Sequence, residues 1–354
     1  MTSIQGFISR CGRAVQGARG VVIGVLVSFT MSGCGVINHM MYKTTGDVMK
    51  GFSKEHTVPY LLQGGDLAMG CAMSEATSPL LMSFGRVTSD PDQLAVMLYL
   101  TSGGCAEERA REFELEALSA LHALQAGKAE DAGIRQKRAY ALAAKRYFKA
   151  WHHHNTYYGA PDESDCPSFD EDMDAFVYMA GLLSGLQALN AEIQSTSAIG
   201  VPKNVGSTVA RATRCLDNDK WWGAPMALRA TVWAMMPGAE PNGEDAFERL
   251  ETADQQGEAA GVRLPHVFHA IAAINKDDEE ALKDVIRRHA EAIETTPAAK
   301  DWVMVDRMAT QVILAISDRM WVENVGYRTP MGKLGTFWDD PVETTETMNL
   351  DDIL

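Results

Sequence analysis

No acidic residue precedes Asp47, and no apolar run in the chain reaches the length of a membrane span. The N-terminal run, residues 21–31, would make a helix of about 16 Å, against ~30 Å of hydrocarbon. That excludes a transmembrane anchor there. The chain has no Walker loop, no His-Glu-x-x-His and no Gly-x-Ser-x-Gly. It has no Cys-x-x-Cys and no Cys/His zinc spacing. Prolines number only 13 in 354 residues. No segment alternates apolar and polar residues in the manner of a strand.

The start of the chain has instead the layout of a secretory signal. Arg10, Arg13 and Arg19 precede the apolar run, and Met31-Ser32-Gly33-Cys34 follows it. These four residues resemble a bacterial lipobox, with Met31 in place of the usual Leu. The resemblance implies diacylglyceryl transfer to the Cys34 thiol, cleavage before it, and acyl chains of the palmitate kind as the anchor. Two or three chains satisfy the requirement for stable anchoring. Gly35 in the following position leans toward the outer membrane, facing the periplasm. An ordinary secretory signal cut elsewhere is the alternative.

Removing residues 1–33 leaves 29 of the 32 basic residues against 47 acidic ones, a net charge of −18. Such a surface repels phosphate backbones, so no nucleic-acid partner is expected. Of the six cysteines, Cys11 leaves with the signal and Cys34 carries lipid. Cys71, Cys105, Cys166 and Cys215 remain, an even number in an oxidising compartment. Four cysteines allow three pairings. Cys71 with Cys105 and Cys166 with Cys215 would each staple neighbouring helices; four buried free thiols are the other reading.

Almost every later segment has helical periodicity. Leu67 to about Phe84 opens the series. Ser89-Asp90-Pro91-Asp92 is a helix start, and Gly103-Gly104 is expected to kink or break the helix that follows. A second arm runs from Glu107 to Ala126, and another helix from Ala129 to about Asn155. After a loop at 159–167, Ser168 with Glu171 reads as a capping box. Further helices follow to Val322. The expected fold class is all-α, a helical-hairpin array of degenerate tetratricopeptide-like, α-solenoid form. It spans 34–325, after the signal at 1–33. An acidic, loosely packed tail occupies 326–354. A clean 34-residue period is absent.

Candidate chemistry is sparse. His152-His153-His154 point about 100° apart on a helix and cannot converge on one metal. His266 and His269, three apart, share a helix face. A histidine beside apolar residues is more often satisfied by a backbone or carboxylate hydrogen bond. Glu248, Glu251 and Asp254 read as a solvated face. The sharper feature is apolar excess: 19 methionines, with Trp221, Trp222, Met226 and Trp233 close together. Core packing is one account, and the lining of a cleft for an elongated apolar ligand is the other.

The order of these features resembles one family: the T component of tripartite ATP-independent periplasmic (TRAP) transporter systems, the TatT-type lipoproteins. The lipobox ends at Cys34. Pro79-Leu80-Leu81 and Asp90-Pro91-Asp92-Gln93-Leu94 resemble the family's first helical pair, although an Asp-Asn pair is usual where Asp92-Gln93 stands. Trp221-Trp222-Gly223-Ala224-Pro225-Met226-Ala227-Leu228 is similar to its Gly-x-Pro-Ala-Leu segment. His266-Val267-Phe268-His269-Ala270 is similar to its His-x-Phe-x-Ala element. The resemblance implies a periplasm-facing lipoprotein, an apolar pore or cleft, a homotrimer, and a periplasmic solute-binding protein as partner.

The expectation is therefore a binding and scaffold accessory, not an enzyme. It would hold or hand over a hydrophobic carboxylate, with no cofactor or metal and with membrane contact through lipid only. Trp221, Trp222, Met226, Trp233, His266 and His269 are the candidate cleft residues. The alternatives are a helical protein–protein scaffold of the envelope and, further off, a metal-dependent envelope enzyme built on His152, His154, His266 and His269.

Overall fold

Short polar side chains start three of the helices, and glycines end several. The Asp66 carboxylate accepts the Met69 N–H, Asp245 accepts those of Phe247 and Glu248, and Asp278 accepts that of Ala281. Each such cap is worth about 1 kcal/mol. Gly261 and Gly326 take φ of 69° and 83°, the left-handed geometry that stops a helix at low steric cost. The computed structural model describes residues 40–161, 165–196, 199–236 and 238–341, and has eleven helices among them.

Helix α1 covers 40–63 and contains a π-turn at Ser53–Thr57. Then come α2 (Leu67–Ser83), α3 (Asp92–His122), α4 (Ala126–Tyr158) and α5 (Asp172–Ser195). The series continues with α6 (Val205–Ala212), α7 (Ala224–Met235), α8 (Ala246–Ala260), α9 (Leu264–Asn275), α10 (Glu279–Thr295) and α11 (Val303–Val325). No strand occurs among the described residues. The protein is an all-α helical-hairpin array. Each helix from α3 to α11 packs on its neighbour in sequence, and α11 returns to pack against α3 and the Val58–Gln63 end of α1.

The array has two layers. Helices α3, α5, α7, α9 and α11 form an inner layer around a cleft. Helices α4, α6, α8 and α10 stand outside, and of these only α4 reaches the cleft, through Tyr147. Inner helices begin at residues 92, 172, 224, 264 and 303, at spacings of 80, 52, 40 and 39. The repeat is structural, and its unequal lengths explain why no fixed period shows in the sequence.

Three local expectations need correction. Helix α3 passes through Gly103-Gly104 without a break. Gly103 is the point where α4 crosses closely: a Cβ there would lie 2.6 Å from the Tyr147 ring. Close packing against α4 offsets the ~1 kcal/mol a helical glycine costs. Helix α5 starts at Asp172, with Glu171 as its cap position, so Ser168 does not open it.

The third correction concerns the tail. Far from packing loosely, residues 327–340 are strapped across α10 and α11. Phe337 is buried in the same apolar cluster as Ile286 and Ile313. Lys283 Nζ reaches Asp339 at 2.7 Å, and Arg287 Nη2 reaches Asp340 at 2.7 Å. The physical reason is topological. Helix α11 is an inner helix with no outer partner following it, and Phe337 and Trp338 help to cover the apolar surface left open. Residues 342–354 lie outside the described residues.

Two disulfides join the chain. Cys71–Cys105 links α2 to α3 and Cys166–Cys215 links the loop before α5 to the turn after α6. Closing a loop with a sequence separation of 34 constrains the unfolded chain by about 4 kcal/mol on the chain-entropy account. Cys34 lies outside the described residues, as does the whole signal. Among the described residues no helix is long and apolar enough to cross a membrane.

Candidate functional site

The inner helices enclose an elongated cleft of about 590 Å³. That is room for about twenty water molecules at ~30 Å³ each. Its lining follows helical arithmetic. On α3, Leu94, Met97, Thr101, Gly104 and Glu108 succeed one another by three or four positions, with Leu98 beside Met97. From Leu94 to Arg111 the lining follows α3 for about 25 Å. Opposite it, α5 presents Phe176, Met179, Leu183 and Gln187, and α11 presents Met304, Met308 and Gln311. Helix α7 contributes Ala224 and Leu228, and α9 contributes Leu264 and Phe268, each pair four apart.

The two ends differ. Around Leu94, the lining includes the apolar Val48, Met49 and Phe52 from α1 with Leu80 and Leu81 from α2, and its polar groups include the hydroxyls of Ser53 and Thr77. Val48, Phe52 and Leu80 are also exposed, so this end is open. At the other end stand Glu107, Glu108, Arg111 and Gln311. Arg111 Nη2 donates to Glu107 Oε1 at 2.7 Å, and the Tyr147 hydroxyl donates to Glu107 Oε2 at 2.5 Å. The Gln311 amide donates to Glu108. Burial alone would lower the Arg111 pKa, but the Glu107 charge beside it raises it further still. Burial and the same carboxylate raise Tyr147 well above the phenol range. Arg111 therefore stays cationic and Tyr147 stays a donor. Met308 is exposed near this polar end.

The residues named from the sequence stand elsewhere. Trp221, Trp222 and Trp233 are buried and do not line the cleft. They form a layer behind it. Phe176, whose side chain does face the cleft, packs 4.6 Å from Trp302 and 6.0 Å from Trp221, ring centre to ring centre; Trp222 lies 4.9 Å from Trp302. Met226 packs at the edge of the same core. On α7 the cleft takes Ala224 and Leu228, and Met226 between them points away.

His266 and His269 are likewise turned from the cleft, since α9 gives its Leu264 and Phe268 face to it. His266 is fully buried, with Nε2 3.0 Å from Glu258 Oε1 and Nδ1 3.1 Å from His289 Nδ1. His289 Nε2 lies 3.2 Å from Thr310. His269 Nδ1 lies 2.6 Å from Asp254 Oδ2. These contacts tie α8, α9, α10 and α11 together and account for both histidines without a ligand. Burial, and then His266 beside it, depresses the His289 pKa to about 3.

At the end of α4, His152 is exposed, and His153 Nδ1 lies 2.6 Å from Asp92 Oδ1. His154 is buried, stacked on Trp151 and packed against Tyr178. Burial lowers its pKa to about 4. The three rings thus have three different surroundings. Among the described residues no group of three or more His, Cys, Asp or Glu side chains is placed to hold a metal ion.

Sequence reasoning missed the cleft residues themselves. A usable signal was present. Six of the 19 methionines (Met49, Met73, Met97, Met179, Met304 and Met308) line the cleft, distributed over five helices. Compared with known proteins, the chain matches no family model, no curated protein and no solved structure.

Proposed function

We propose that this chain is a lipid-anchored, periplasm-facing binding protein that holds an elongated hydrophobic organic acid and hands it to a TRAP-type transport system. The observation that carries the reading is the cleft: long, lined almost wholly by apolar side chains, and polar at one end. Burial of an acyl chain at about 25 cal/mol per Å² supplies the affinity. Methionines adapt the wall to ligands of different shape. Arg111 is the one cation in the described lining. Its only hydrogen bond among the described residues uses Nη2, and a guanidinium has five N–H donors, so Nε and Nη1 remain for a carboxylate. The anchor at Cys34, a homotrimer and a periplasmic solute-binding protein as partner belong to the same proposal, on the strength of the sequence resemblance.

Displacement of an environment-sensitive fluorescent fatty acid tests it. Long-chain carboxylic acids should compete, and short-chain acids of equal charge should not. Failure of every long-chain acid to compete would contradict the reading.

A further inference from the structure

The apolar end of the cleft opens through residues that are unusually exposed for their type. Val48 is 65% exposed, Phe52 60% and Leu80 53%, and each also lines the cleft. Val48 and Phe52 lie one turn apart on α1, and Met41 is seven residues before Val48 on the same stripe. Met41 is exposed as well, and no other described element covers this stripe. A stripe of large apolar side chains continuous with a cavity mouth marks a contact surface.

The helix carrying the stripe is held in place. Asp47 Oδ1 accepts the Ser89 N–H at 2.7 Å, and Lys50 Nζ donates to the Ser89 carbonyl at 2.6 Å. Gly46 abuts Thr88 so closely that a Cβ would overlap it. The stripe is therefore presented outward by a fixed helix, not left over from a poorly packed one.

Its position in the chain names the occupant. Met40, the first described residue of α1, is six residues from Cys34, a reach of about 20 Å at most. Val48 and Phe52 lie about 12 and 18 Å farther along α1. A chain anchored at Cys34 holds this face beside the bilayer.

We propose that the α1 stripe and the mouth framed by Val48, Phe52 and Leu80 rest on the lipid bilayer surface, so that the cleft takes its ligand directly from the membrane. This rests on the lipid anchor proposed above. An amphiphile leaving a leaflet moves head first, which carries its head toward the Arg111 end and leaves its tail at the mouth.

Full-length acylated protein, reconstituted in vesicles of phosphatidylethanolamine and phosphatidylglycerol, tests this. Spin labels are attached to Val48→Cys, Phe52→Cys and, as reference, Leu124→Cys at the far end of α3. All three sites are exposed, so labelling leaves the core intact. Labels at Val48 and Phe52 should collide more with oxygen than with a water-soluble nickel chelate, and the Leu124 label should show the reverse. Equal chelate accessibility at all three sites overturns the proposal. The mass of the N-terminal peptide separates the two failures. Acyl chains at Cys34 with water-exposed labels leave the anchor standing and remove the surface. An unacylated peptide removes the anchor, and the surface inference falls with it.

Discussion

The Tyr147 hydroxyl donates to Glu107 2.5 Å away, and the same carboxylate receives Arg111 on its other oxygen. Tyr147 comes from outer helix α4, and Glu107 and Arg111 come from α3. The triad fixes the polar end of the cleft to the wall behind it. Replacing Arg111 with Leu should weaken a long-chain carboxylate by about 10- to 100-fold, the worth of a charge-assisted hydrogen bond. A chain-matched alcohol should be much less affected. Titration calorimetry of the acid and alcohol pair reads the difference.

Core and cleft should respond in opposite ways. Leu183 lines the cleft and is only half-buried, so Leu183→Trp adds volume to open space. It should abolish ligand retention with a small change in stability. Trp222 is buried behind the cleft, and Trp222→Ala should cost about 3–5 kcal/mol. Denaturant melts of both variants, alongside ligand binding, distinguish the two roles.

Arg263 and Asp306 form an ion pair in the core. Arg263 Nη1 lies 2.6 Å from Asp306 Oδ2, and the Arg263 N–H donates to Oδ1 at 2.9 Å. The guanidinium also donates to the carbonyls of Ala292 and Thr296, closing the end of α10. Removing one partner of a buried pair costs about 3–5 kcal/mol because the other charge is left behind. Asp306→Asn should therefore lower the denaturation midpoint sharply while leaving the cleft lining unchanged. Urea unfolding followed by circular dichroism measures it.

Acid should destabilise the fold through two histidines. Burial lowers His154 to about 4, and burial with the neighbouring His266 lowers His289 to about 3. Both values lie below the unfolded value of about 6.5, so the unfolded chain binds more protons between. Their contribution is complete above pH 6.5 and is lost as pH falls from there toward 4 and 3. Near pH 4.5 each accounts for roughly 3 kcal/mol. Melting temperature should fall steadily below pH 6, and His154→Phe, which keeps the ring stack, should flatten that slope.

The helices are legible because most carry an apolar periodicity of their own and several carry a local start or stop signal. Asp90-Pro91-Asp92, for example, marks the start of α3 in any context. The layers were not legible. Ala224 and Leu228 face the cleft while Met226 and Trp233, on the same short helix, do not. Periodicity says that a helix has an apolar face, and α7 is apolar on nearly every side. Which side meets open space depends on where α5, α9 and α11 stand. Gly103 shows the same limit. Its lack of a side chain is visible in the sequence, but the tyrosine ring that needs the space is 44 residues away. In the described part of the tail, 327–340, the acids stand out in the sequence, whereas Phe337 and Trp338 decide its place.

The most direct test of the account is native mass spectrometry of the full-length protein taken from cell envelopes. Denaturing release would follow, to identify what it holds. The account predicts one long-chain carboxylate per chain, lost in the Leu183→Trp variant. A wild-type chain that arrives empty, and stays empty when offered such acids, would contradict it.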